Sequence, residues 1–122
     1  MKKRLKGENM SKLQEKIEQY KEAMKKIEPN FDEELLEKIT RSLGPSIYKK
    51  DSETVSCSSP SELERVRNNF LKMKLGLDKS DEELDAAIKE VCEKMGTSNR
   101  NKYRAIFYYL LVKKFKKENL YK

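Results

Sequence analysis

The sequence predicts an all-α fold, a compact bundle of about five helices with one irregular segment near residues 46–58. Three observations carry that expectation. Apolar residues recur at steps of three and four, the spacing that lines one face of a helix. Capping residues open the periodic stretches. Gly44, Gly76 and Gly96 stand where three of those stretches end. At 122 residues the chain fits one domain, since below about 150 residues there is little room for two cores. The expected division is a disordered basic leader over residues 1–10 and a single helical domain over residues 11–122.

The first helix is expected from Lys12 to Ile27, capped by Ser11, with Leu13, Ile17, Tyr20, Met24 and Ile27 in one stripe. Pro29 ends it, because proline has no amide for the next helical hydrogen bond and disfavours helical geometry at Glu28. Asn30 and Glu33 form the expected capping pair of a second helix, whose inner face is Phe31, Leu35, Leu36, Ile39 and Leu43. Gly44 suits the left-handed position that closes it, and Pro45 blocks continuation. Beyond it, Ile47, Tyr48 and Val55 sit among Ser and Thr without a sustained period, so residues 46–58 are read as irregular.

Ser59, Pro60 and Glu62 open a third helix, with Leu63, Val66, Phe70 and Met73 facing inward and Gly76 as its stop. Ser80, followed by Asp81, Glu82 and Glu83, opens a fourth, with its acids where the helix dipole favours negative charge. Leu84, Ala87, Ile88, Val91, Cys92 and Met95 form its apolar side, and Gly96 ends it. The fifth helix is expected to start between Ser98 and Asn101 and to reach Lys117. Tyr103, Ile106, Phe107, Leu110, Leu111 and Phe115 line one side, and Tyr108, Tyr109 and Val112 widen the apolar surface beyond a stripe. Such a helix is either the centre of the bundle or a surface for a protein partner or a second copy of the chain.

Three segments together resemble a family of small bacterial proteins known as domain of unknown function 2853. They are residues 51–58, Asp-Ser-Glu-Thr-Val-Ser-Cys-Ser; residues 64–77, Glu-Arg-Val-Arg-Asn-Asn-Phe-Leu-Lys-Met-Lys-Leu-Gly-Leu; and Phe107 to Leu111 with Phe115. The resemblance covers the chain from about residue 11 onward and leaves out the basic leader. It implies a compact single-domain fold in a bacterial cytosol. No activity, ligand or catalytic residue carries over from it.

A net charge of +7 raises nucleic-acid binding as a second reading, because Lys and Arg supply most non-specific affinity for phosphate. The charge is polarised. Residues 97–122 hold eight basic groups against Glu118, whereas residues 78–96 hold seven acids against three lysines. A helix-turn-helix built from the third and fourth helices would push the most acidic element of the chain into the major groove, where it would repel phosphate. Lys113, Lys114, Lys116 and Lys117 are the better phosphate contacts, although cations at a helix carboxyl end are also favoured by the dipole alone.

Histidine is absent, which removes the commonest general base and metal ligand. Paired acids at residues 32–34 and 81–83 open helices, and no glycine-rich phosphate loop can be built from four glycines. Cys57 and Cys92 are expected as reduced thiols in the cytoplasm, being two cysteines far apart in sequence. Cys92 reads as core. Cys57 stands just before a helix start, where the dipole lowers a thiol pKa, so a third reading is a thiol-dependent activity there. Convergence of Cys57 with Asp51, Arg65 and Arg67 in one cleft would strengthen it.

These features favour a non-enzymatic protein-interaction module acting through Tyr103, Phe107, Tyr108, Tyr109 and Val112. No catalytic residue, cofactor or metal is assigned. No membrane association is expected either, since the longest apolar stretch, at residues 103–112, is interrupted by Arg104 and falls short of the roughly twenty residues a span needs.

Overall fold

A computed structural model describes residues 11–96, 99 and 101–121. The expected leader at residues 1–10 lies outside the described residues. Six α-helices make the fold: α1 (Lys12–Lys25), α2 (Glu33–Ser42), α3 (Lys50–Glu53), α4 (Pro60–Arg65), α5 (Asp81–Met95) and α6 (Arg104–Lys114). A π-helical segment, Val66–Lys74, continues α4, and short 3₁₀ turns occupy Gly44–Tyr48 and Glu118–Tyr121. No strand occurs among the described residues; Thr54 and Tyr103 form one isolated antiparallel bridge.

Most helix starts follow local chemistry. The Ser11 and Ser59 hydroxyls accept the amides of Gln14 and Glu62, and Ser80 and Glu83 form the reciprocal box at the head of α5. The second helix departs from expectation. Its cap is Asp32, which accepts from the Leu35 amide at 3.1 Å, because Phe31 is drawn into the core ahead of the helix and the Asp32 amide donates to the Tyr109 hydroxyl at 2.8 Å.

The third helix differs in winding. Its π segment brings Val66, Phe70, Leu71 and Leu75 inward, while Met73 is 77% exposed. Wider π turns rotate the register after Phe70, so the three-and-four spacing that placed Met73 inside fails there. The Leu75 amide bonds to the Phe70 carbonyl, and the Leu77 amide to the Leu71 carbonyl, across Gly76 at φ 67°.

The segment read as irregular is organised. Ser46 lies in a 3₁₀ turn and α3 follows. The Val55 amide then donates to the Lys102 carbonyl at 2.8 Å. That pairing holds residues 102–103 extended, which is why α6 starts at Arg104 and not near Asn101. Lys116, at φ 57°, breaks the helix after Lys114.

α6 is the central helix. Ala105, Ile106, Phe107, Tyr109, Leu110, Leu111 and Val112 are all buried, packed against α1, α2, α3 and α5. Its wide apolar surface is covered by the bundle itself, as expected for a helix apolar all round.

Candidate functional site

The largest change from expectation is covalent. Cys57 and Cys92 form a disulfide with their Cα atoms 6.1 Å apart. A separation of 35 residues gave no sign of it in the sequence. The bridge overturns the expectation of two reduced thiols, and with it a free nucleophilic thiol at Cys57 and the case for a reducing compartment drawn from cysteine usage. It ties the loop ahead of α4 to the inner face of α5.

Beside this bridge lies an open groove of about 730 Å³ between α4 and α5. Its apolar surface comes from Pro60, Leu63, Ile88 and the disulfide, and its rim from Glu64, Arg67, Asp85 and Lys89. Local chemistry positions each wall. Ser59 and Pro60 start α4 at the groove's end, and the capping box at Ser80 orients α5 opposite.

Arg67 clamps the two walls together. Its Nη1 lies 3.2 Å from Asp85 Oδ2, its Nε 3.7 Å from Asp81 and its Nη2 3.7 Å from Glu64. Lys72 adds a 2.5 Å contact to Asp81. The Lys72 hydrogen bond holds the Asp81 carboxyl below the ordinary carboxylate range. Partial burial opposes the Arg67 charge, but its bond to Asp85 and the surrounding acids outweigh that and hold it protonated. Asp81 and Asp85 on α5 are thus paired with cations of the π segment. Lys89, exposed on the rim, makes no ion pair among the described residues.

A second hollow, of about 300 Å³, lies elsewhere on the surface, lined by Asp51, Arg65, Asn69, Arg104 and Tyr108 among others. Arg104 organises it. The guanidinium donates to Glu62 Oε2 at 2.7 Å, to the carbonyls of Ser52 and Thr54 at 2.7 and 3.3 Å, and to the Tyr108 hydroxyl at 3.1 Å. All three guanidinium nitrogens are bonded within the fold, so this cluster fastens the segment around α3 to α4 and α6. Burial opposes the charge, and Tyr108 and Glu62 outweigh it. Cys57 and Arg67 therefore line one hollow and Asp51 and Arg65 the other; the convergence that would have strengthened a Cys57 active site does not occur.

The expected interaction surface on the last helix is corrected as well. Phe107, Tyr109 and Val112 are buried, and Tyr103 and Tyr108 are half-buried. Tyr108 stacks on Phe70 with ring centroids 3.7 Å apart, and Tyr103 packs on Tyr20 at 4.8 Å. These side chains are spent on the core. Of the four lysines near the end of the chain, Lys113 pairs with Glu118 and Lys114 with Glu90. Lys116 is exposed and Lys117 half-buried.

Among the described residues no group of three or more His, Cys, Asp or Glu could hold a metal ion, and no helix is long and apolar enough to cross a membrane. Leu63, Asp85 and Lys89 were not singled out from the sequence as site residues. Only their places on helical faces were readable, and the face that meets the Cys57 loop depends on a long-range bond.

Over residues 2–119 the chain matches the family described as "Protein of unknown function (DUF2853)". The match takes in the basic leader as well as the three segments that carry the resemblance. No curated protein matches.

Proposed function

The chain belongs to the DUF2853 family of proteins of unknown function, and from that premise we propose a non-enzymatic helical module that binds a protein partner in the groove between α4 and α5. The observation that carries this reading is the groove's make-up, an apolar surface formed by Leu63, Ile88 and the disulfide inside a charged rim. Such a hollow suits an apolar anchor side chain, with polar groups around it to fix orientation. The charges support binding over acid–base chemistry, because Arg67 on the rim and Asp81, which it contacts outside the groove, are each stabilised in the ionised form they already hold at neutral pH.

The occupant we favour is a partner segment that places an acidic residue beside its apolar anchor. Lys89 is the exposed rim cation without an ion pair among the described residues. A net charge of +7 works against a second copy and in favour of an acidic partner. Phosphate binding through the lysines at the end of α6 and just beyond it has weaker support, since Lys113 and Lys114 already meet carboxylates.

Selection from a displayed random-peptide library on the bridged protein tests this. Enriched peptides should pair an apolar anchor with Asp or Glu, and their binding should be lost on Leu63→Arg and Lys89→Glu. Enrichment indifferent to both substitutions, or a dimer broken by Lys89→Glu, would contradict it.

A further inference from the structure

The Cys57–Cys92 bridge forms part of the groove wall, which puts a reactive bond within reach of a ligand. Its two ends are unequal. Cys57 is half-buried in a turn at the groove, whereas Cys92 is only 9% exposed, on the inner face of α5. Thiol–disulfide exchange requires a thiolate to reach one sulfur in line with the bond, so access selects the sulfur attacked. Exposure makes a bridge more labile, and here the exposure lies at the Cys57 end.

We propose that the groove is a thiol-exchange site, in which a low-molecular-weight thiol bearing carboxylates attacks Cys57 Sγ. In that step the incoming thiolate forms a bond to Cys57 Sγ and the Cys57–Cys92 bond breaks. Its electron pair leaves on Cys92 Sγ, which takes a proton from solvent. The incoming thiol is thereby oxidised to a mixed disulfide and Cys92 is reduced to a thiol. A second equivalent of the same thiol, as thiolate, attacks the small-molecule sulfur of the mixed disulfide. The bond to Cys57 Sγ breaks, and Cys57 leaves as a thiolate that takes a proton from solvent. The small thiol departs as its symmetric disulfide, with both cysteines reduced. The sulfur of Cys57 acts here as an electrophile.

Two groups shape the preference. Lys89 stands on the same wall one helical turn before Cys92, where its charge draws an anionic thiol and favours a departing thiolate. The carboxyl end of α5 opposes that thiolate through the helix dipole, a few-fold effect at most. Access outweighs it, because the less exposed sulfur is approached in line less often. Thiol entry needs only an open groove and no protein partner.

Reduced glutathione is the probe. The bridged protein is incubated with it, quenched in acid, alkylated and mapped by mass spectrometry, once folded and once in urea. The folded protein should carry glutathione on Cys57 and a free thiol on Cys92, by at least tenfold over the reverse, and the bias should vanish in urea. Lys89→Gln should slow exchange with glutathione several-fold more than exchange with uncharged 2-mercaptoethanol. Adducts shared equally when folded, an adduct on Cys92 alone, a folded bridge that glutathione opens only in urea, or equal slowing of both thiols by Lys89→Gln overturns the proposal.

Discussion

The Tyr20 hydroxyl donates to Glu53 Oε2 at 2.7 Å, joining the middle of α1 to the last residue of α3. Lys16, one turn earlier on α1, reaches the same oxygen at 2.7 Å. Through this carboxylate the four-residue helix α3, too short to stand alone, is held where its following residues can meet Arg104. Tyr20→Phe should cost about 1.5–3 kcal/mol at neutral pH, the usual net worth of a hydrogen bond to a charged group, measured by urea unfolding.

The same tyrosine predicts how stability varies with alkali. Burial raises the pKa of the Tyr20 hydroxyl, and the Glu53 carboxylate raises it further; burial raises those of Tyr109 and Tyr121 too. The folded state therefore keeps protons that the unfolded chain, with tyrosine near 10, gives up. Stability should be unaffected by these groups below about pH 10 and fall as pH rises beyond it. Tyr20→Phe should flatten that decline. An unfolding midpoint that holds steady from pH 9 to 11 on the approach to tyrosine's ordinary range of about 10 would count against it.

Arg104 and Glu62 are each largely buried, with their atoms 2.7 Å apart. Arg104→Met removes the partner of Glu62 Oε2 and of the Ser52 and Thr54 carbonyls at once, leaving Glu62 only Arg65, 3.2 Å from its other oxygen. The expected loss is roughly 2–4 kcal/mol, because it halves the pairing of a largely buried carboxylate and takes the donor from two carbonyls. Arg104→Lys should recover only part of it, since an ammonium cannot span four acceptors in one plane. Chemical denaturation of both variants measures the difference.

How far the sequence discloses this fold depends on the range of the interaction that decides each feature. The head of α5 is legible because Ser80 and Glu83 satisfy one another within three residues. The stop at Gly96, φ 100°, is equally local. The start of α6 is not, since Lys102 pairs with Val55 from far along the chain. Nor is the π winding: stacking of Phe70 on Tyr108 and burial of Leu71 reward a register that spacing alone does not specify. The candidate groove was hidden for the same reason, because its wall depends on joining Cys57 to Cys92 across 35 residues.

That π register can be tested by paired substitutions. Leu71→Ala should cost about 2–5 kcal/mol as a buried truncation. Met73→Lys should stay within about 0.5 kcal/mol of the parent, as an exposed change does. Comparable losses at both positions would restore an α-helical register. Thermal or urea unfolding of the two variants suffices.

Opening the bridge should lower stability by about 3–4 kcal/mol, the loop-entropy value for a closure of this length. Cys57→Ala/Cys92→Ala and the reduced parent should lose similar amounts by urea unfolding. A reduced parent as stable as the bridged one would show that the bond adds nothing to the fold.

The groove between α4 and α5 is the centre of this account, and its most direct test is an NMR shift map of the bridged protein titrated with a short peptide pairing leucine with aspartate. Saturable shifts should cluster at Leu63, Arg67, Lys89 and Cys92. A map centred on Lys113 to Lys117, or no saturable shift at all, would contradict it.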